Sequence, residues 1–142
     1  MSMYIDTSCL LKLFLVERES ARVQELFSGE ERVVVSALVR LEALQALRGL
    51  RLGGRITPVQ HKQLTKRLED MLQLPPGEVS AFPPSAIEHA ERQNKQGAYC
   101  KTLGSLHLGA MVSLGLNRLL TNDDQQADAA RALGFTVLMP RG

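Results

Sequence analysis

Apolar positions along the chain alternate between short β-branched runs and helical spacings. Tyr4-Ile5 reads as a strand ending in Asp6, and Thr7 or Ser8 is placed to cap a helix carrying Leu10, Leu11, Phe14 and Leu15. Val33-Val34-Val35 is a second strand, ended by Ser36, a natural N-cap for a helix from Ala37 to about Leu52 that Gly53-Gly54 stops. A further helix is predicted from Pro58, a favoured first-turn residue, to Leu74. Val79 to Phe82 reads as a strand, followed by helices from about Ser85 and from Leu103 to Leu114, the latter closed by Gly115. Arg118-Leu119-Leu120 is a strand, Asp123 to Leu133 a helix closed by Gly134, and Phe135 to Leu138 a last strand. Strands that alternate with helices predict an α/β fold with a parallel sheet covered on both faces.

Composition narrows the field. The 142 residues suit one domain, and 44% apolar with 23% charged residues is ordinary for a globular chain that buries a core. No apolar run approaches the ~20 residues of a membrane span. Met1 to Asp6 reaches a carboxylate at once, so no signal-peptide core is expected and the predicted compartment is the cytoplasm. Cys9 and Cys100 make no disulfide framework and fit no zinc spacing, which predicts free buried thiols. Aromatics at 4%, with no Trp, argue against a base-stacking platform. The net charge of +2 is unevenly spread. Arg48, Arg51, Arg55, Lys62, Lys66 and Arg67 carry +6 over a stretch without Asp or Glu, leaving −4 for the rest. Such a stripe is either a phosphate-binding groove or a solvated helical face.

The acids fall where strands end. In an open parallel sheet ligands bind beyond the carboxyl ends of the strands. Asp6 follows the first strand directly, Glu42 lies in the second turn of the helix after the Val33 strand, and Asp123 and Asp124 follow the Leu119-Leu120 strand. Oxygen-only clusters of this kind suit Mg²⁺ or Mn²⁺. Each acid also has a plainer reading: Asp6 and one of Asp123 and Asp124 as helix caps, Glu42 as half of an ion pair. Glu42 is the hardest to dismiss, because Leu38, Val39 and Ala46 surround it on an apolar helical stripe where an unpaired charge is costly. Thr121 is placed to orient a neighbouring carboxylate or a bound water, with Asp124 as a further outer partner. His107, among Leu103, Leu106 and Met111, reads as a core or hydrogen-bonding histidine, and His61 and His89 belong to no constellation.

The order of these segments resembles the PIN-domain family, small Mg²⁺-dependent ribonucleases that include the VapC toxins. The resemblance rests on Tyr4-Ile5-Asp6-Thr7-Ser8 and on Ser36 to Glu42. It continues through Thr102 to Ala110 and Leu120-Thr121-Asn122-Asp123, with Ala129-Ala130 and Leu133-Gly134 downstream. It covers nearly the whole chain and implies a single PIN-like domain over residues 1–142, a three-layer sandwich with four to five short parallel strands. It further implies metal-assisted hydrolysis of RNA phosphodiesters by Asp6, Glu42 and Asp123, with Asp6 and Asp123 as metal ligands and Glu42 holding a metal-bound water or acting as base. RNA backbone would lie on Arg48, Arg51, Arg55, Lys62 and Lys66. A cognate VapB-like antitoxin and a homodimer are implied as partners, the dimer supported independently by the leucine-rich faces of the Ala37–Leu52 and Pro58–Leu74 segments.

One position departs from the family pattern. Gly104 stands where the family has its third acid, three residues before His107, and neutral Ser105 lies on another helical face. Two explanations follow. The chain is either a degenerate member that binds RNA or a partner without cutting, or an inactivated form of an active toxin. Other enzyme classes fit less well. Aspartyl-phosphate phosphohydrolases need a second Asp two residues after the first, where this chain has Ser8, and a receiver domain needs paired early acids and a late Lys.

Overall fold

The computed structural model describes residues 1–141. Its strands are β1 (Ser2–Ile5), β2 (Arg32–Ser36), β3 (Gly77–Ser80), β4 (Arg118–Leu120) and β5 (Thr136–Leu138). All pair in parallel in the order β3-β2-β1-β4-β5. Seven helices connect them: α1 (Thr7–Leu11), α2 (Ser20–Ser28), α3 (Ala37–Leu52), α4 (Pro58–Leu72), α5 (Ala86–Lys95), α6 (Thr102–Ser113) and α7 (Asp124–Ala132).

The strand order assigns the helices to faces. From β1 the chain steps outward to β2 and β3, then returns to β4 on the other side of β1 and moves out to β5. Parallel crossovers are right-handed almost without exception, so a reversal of direction switches the face that the connection covers. Helices α1 to α4 therefore share one face and α5 to α7 the other, as the contacts α1 with α3, α3 with α4, α5 with α6 and α6 with α7 bear out. The result is the expected three-layer sandwich. The reversal also opens a crevice between the ends of β1 and β4, where the register pairs Ile5 with Leu120 and sets Asp6 beside Thr121. The Asp6 amide donates to the Leu120 carbonyl at 3.0 Å, extending the pairing to this edge.

Burial follows the strands. Met3, Tyr4, Ile5, Val33, Val34, Val35, Leu119 and Leu120 are fully buried, as expected of central strands covered on both faces. Gly115 and Gly134 close α6 and α7 at positive φ, as their places after those helices predict.

The first helix differs from expectation. It ends at Leu11, and Phe14 and Leu15 lie in turns rather than on its face. Its cap is Asp6, not Thr7 or Ser8, because the Asp6 carboxylate accepts the Cys9 amide. The chain turns where Lys12, largely buried, meets Glu17 at 3.0 Å and Glu19 at 3.1 Å. Helix α2 was not anticipated. It carries Val23 and Phe27 one turn apart on its buried side, but Glu19 caps it without a side-chain hydrogen bond, so no start signal marks it.

The closest helix crossing is α5 on α6. A Cβ at Gly109 would stand 2.2 Å from the Ala86 carbonyl oxygen, so only glycine permits this approach. Gly109→Ala is therefore expected to lower unfolding free energy by about 3 kcal/mol through overpacking. Gly49 on α3 has no atom within 4 Å of its Cβ position, so Gly49→Ala should stabilise the chain by up to about 1 kcal/mol. Urea unfolding of both variants checks the pair. Equal effects would mean that the α5–α6 crossing adjusts freely.

Candidate active site

Asp6 is the innermost of the acids, with only 7% of its surface exposed. A carboxylate so placed keeps its charge only if donors replace water. Four contacts do so. Cys9 N–H donates to Oδ1 at 2.8 Å, and Thr121 Oγ1 donates to Oδ2 at 2.6 Å from the end of β4. Ser8 Oγ lies 3.1 and 3.2 Å from the two oxygens. Thr121, fully buried, also accepts the Asp123 amide at 3.1 Å, and its oxygen lies 2.9 Å from Gln126 Oε1. One hydroxyl thus ties Asp6 to the start of α7.

Glu42 joins the same edge from α3. Thr7, the residue after Asp6, donates to Glu42 Oε1 at 2.8 Å, and His107 Nε2 lies 2.7 Å from the same oxygen. Burial disfavours the Glu42 charge, but the His107 contact and the Thr7 hydroxyl outweigh it and hold the pKa below the usual glutamate value. The ion-pair reading and the site reading of Glu42 therefore coexist. Both bonds fall on Oε1, and Oε2 makes no hydrogen bond among the described residues. His107 is the hydrogen-bonding histidine that the sequence suggests, and no local pattern reveals its tie to Glu42, 65 positions earlier in the chain.

Asp123 caps α7, its Oδ1 accepting from Gln125 N at 2.9 Å and Gln126 N at 3.1 Å, while its side chain stays exposed. Asp124 is engaged elsewhere: Arg141 Nη1 donates to its Oδ1 at 2.8 Å, and Nε of the same guanidinium holds Asn122 Oδ1 at 2.9 Å. Asp124 makes no contact with Asp6, Glu42 or Asp123 among these hydrogen bonds.

Gly104 lies in the first turn of α6, facing this edge. A Cβ there would meet Cys100 Sγ at 3.1 Å and Gln126 Nε2 at 3.8 Å. The space beside the glycine is thus already taken by a thiol, itself buried and 3.4 Å from Ser105 Oγ. Burial pushes the Cys100 thiol pKa up, the Ser105 hydroxyl opposes this, and the nearby charge of Asp123 adds to the rise. Cys100 lies just before Lys101, the N-cap of α6, so helical spacing does not foretell its contact with Gly104. Both cysteines are free and buried, as predicted.

The donor set is hard oxygen, which suits Mg²⁺ or Mn²⁺ in kind. It does not suit them in number. Among the described residues no three His, Cys, Asp or Glu side chains converge closely enough to hold a metal ion, and both oxygens of Asp6 are already engaged. The residues present do not form a complete ligand set.

The basic residues occupy a different part of the surface. Arg48, Arg51, Arg55, Lys62, Lys66 and Arg67 are all exposed. From Glu42 to Arg51 is nine residues, two and a half helical turns, so these side chains leave α3 on opposite faces. Arg51, Lys62 and Lys66 border one cavity of about 530 Å³ between α3 and α4. Lys66 also pairs with Asp70 at 3.2 Å, and the Arg67 guanidinium sits 5.9 Å from the centre of the Phe14 ring.

This fold and edge are those of a known class. Residues 3–132 match the PIN domain, and the chain belongs to that family. It is 30% identical to Ribonuclease VapC46 of Mycobacterium tuberculosis over 145 residues, covering 98% of each chain. Among solved structures it resembles FitAcB from Neisseria gonorrhoeae, with a TM-score of 0.77, 18% identity and 97% of each chain covered. It also resembles a toxin-antitoxin complex from Klebsiella pneumoniae, with a TM-score of 0.67, 16% identity and 98% of each chain covered. At such identities the structural likeness speaks for the fold.

Since Cys100 fills the space beside Gly104, Gly104→Asp and Cys100→Ala are expected to couple favourably by about 1 kcal/mol. Unfolding free energies of the wild type, both single variants and the double variant measure this. Strictly additive effects would show that the thiol yields without cost.

Proposed function

We propose that this chain is a VapC-type endoribonuclease toxin of a toxin–antitoxin pair, and that Gly104 leaves its metal site one donor short, so that cleavage by the chain as it stands is weak or lost. The observation that carries this reading is the meeting of Asp6, Thr121 and Asp123 at the β1–β4 crevice, with Glu42 tied to the same edge through Thr7. The family membership and the similarity to Ribonuclease VapC46 support RNA as substrate. In this reading Asp6 is a fixed anion that offers its charge at the crevice. Glu42, with Oε2 unbonded, would accept a proton from water as the water oxygen bonds to phosphorus and the P–O bond to the departing nucleotide breaks, the leaving oxygen taking a proton from solvent. Asp123, anchored through Oδ1, presents Oδ2. The bound metal, Mg²⁺ or Mn²⁺, would polarise the phosphate and lower the pKa of its water when a full ligand set is present.

Gly104 itself favours a second reading, in which the chain keeps RNA or partner binding and regulates without cutting. A cleavage assay with Mn²⁺ on structured RNA separates the two. Gly104→Asp, combined with Cys100→Ala to open the space, is expected to create or strongly raise cleavage, and Asp6→Asn in that background should abolish it. A restored variant that binds Mn²⁺ yet cuts nothing would establish the regulatory reading.

Partners follow from the same assignment: a VapB-like antitoxin and a second copy of the chain. Leu41, Leu52 and Val59, 55%, 76% and 65% exposed, put apolar surface on α3 and α4 that a partner would cover. A strictly monomeric species by ultracentrifugation at high micromolar concentration would count against the dimer. No helix among the described residues is long and apolar enough to cross a membrane, and the place of action proposed is the cytoplasm.

Arg48, Arg51, Arg55, Lys62 and Lys66 are proposed to hold the RNA backbone. Three to four phosphate contacts on a single strand give a log–log salt slope of about −2 to −3. Arg51→Ala is expected to make that slope shallower by about 0.7 and to weaken all sequences alike. An unchanged slope after Arg51, Arg55 and Lys62 are all replaced would leave these residues a solvated face.

A further inference from the structure

A hydrogen-bonded chain runs inward from Glu42 and ends at the serine that caps α3. His107 Nε2 lies 2.7 Å from Glu42 Oε1, Tyr4 Oη 2.7 Å from His107 Nδ1, and Ser36 Oγ 2.8 Å from Tyr4 Oη. Ser36, Tyr4 and His107 are all buried. The two rings sit 5.8 Å apart and tilted, so the contact is through their edges rather than by stacking.

The direction of each bond follows from the inner end. Ser36 Oγ already accepts the Val39 amide at 3.2 Å, the cap of α3. Among the described residues its own proton has one acceptor, Tyr4 Oη. A fully buried hydroxyl left without an acceptor costs about 1–3 kcal/mol, so Ser36 donates to Tyr4. A phenol keeps its proton near neutral pH, and fully buried Tyr4 must place it on an acceptor. Among the described residues the acceptor left for that proton is His107 Nδ1. The imidazole then carries its hydrogen on Nε2, which donates to Glu42.

We propose that Tyr4 and His107 are positioning residues for Glu42: the phenol fixes the imidazole as the Nε2–H tautomer, and that N–H pins Oε1 so that Oε2 alone remains free for a proton. The inference deepens the reading of Glu42 as the base and rests on it for its use in catalysis, while the tautomer itself stands on the hydrogen bonds alone. Thr7 holds Oε1 from the other side, so the carboxylate cannot turn without losing both partners. A core histidine that only filled volume would leave its tautomer open and its carboxylate partner free to rotate.

Long-range ¹H–¹⁵N NMR on the labelled chain near neutral pH reads the tautomer with no metal, RNA or turnover required. His107 is expected as Nε2–H with an unprotonated Nδ1, and Tyr4→Phe should shift it toward a tautomer mixture. An imidazolium, an Nδ1–H form, or a Tyr4→Phe spectrum identical to wild type overturns the proposal. A second arm uses the Gly104→Asp/Cys100→Ala background. There His107→Leu should lower kcat about tenfold with KM unchanged, and His107→Gln, whose amide donates to Oε1, should recover most of it. A Gln variant as poor as Leu argues that the histidine serves only packing and overturns the role assigned to it. If that background cuts no RNA, the ribonuclease reading fails while the NMR result still decides the tautomer.

Discussion

The end of the central strand imposes the constraint on which the site depends: the Asp6 carboxyl must find hydrogen-bond partners where little water reaches it. Beyond fully buried Met3, Tyr4 and Ile5, the chain emerges between two neighbouring strands and places a carboxylate there at once. A buried polar group left without partners is costly, so protein donors have to replace its water. The first turn of α1 supplies an amide through capping, and β4 supplies the Thr121 hydroxyl. The Thr121 donor exists only because the strand order brings β4 against β1, whereas the Cys9 amide is supplied locally by the turn that follows. The capping role of Asp6 and the role proposed for it are one arrangement. The bonds that replace its water also fix the direction of the side chain.

The other two acids show a related economy. Glu42 and Asp123 are each bound by protein donors through a single oxygen, Oε1 in one case and Oδ1 in the other. The second oxygen of each is left for whatever enters the crevice. Carboxylates held this way lose rotational freedom before a ligand arrives, which is the preorganisation that electrostatic catalysis requires. Where the pattern breaks is position 104. The missing acid has not left an open gap, because Cys100 packs its sulfur against the glycine. A carboxylate there would have added a fourth negative charge near Asp123, while the buried thiol adds none at neutral pH.

Much of this was legible along the chain. The β-branched run at Val33, the cap at Ser36, Pro58 at a helix start and the glycines after α6 and α7 are local signals. Local propensity acts through neighbours a few residues away, and these elements lie where those signals place them. The acids at strand ends were visible for the same reason, since an α/β alternation already implies a common carboxyl edge. The first helix was read too long, because the apolar residues Phe14 and Leu15 continue its spacing. Only the buried Lys12, paired with Glu17 and Glu19, shows why the chain turns there.

What the sequence by itself determined is the alternation of elements, the parallel sheet it requires and the set of acids at its edge. Tertiary structure alone decided how those acids are held. The partners of Asp6 and Glu42 come from 115 and 65 positions away, Thr121 and His107, and Tyr4 is tied to His107 across 103. No periodicity carries such information, because these contacts depend on which strands become neighbours and on where the helices cross. The same holds for the thiol against Gly104. Cys100 lies before α6 begins, so only the packed helix end shows that its sulfur stands 3.1 Å from where a side chain on residue 104 would begin.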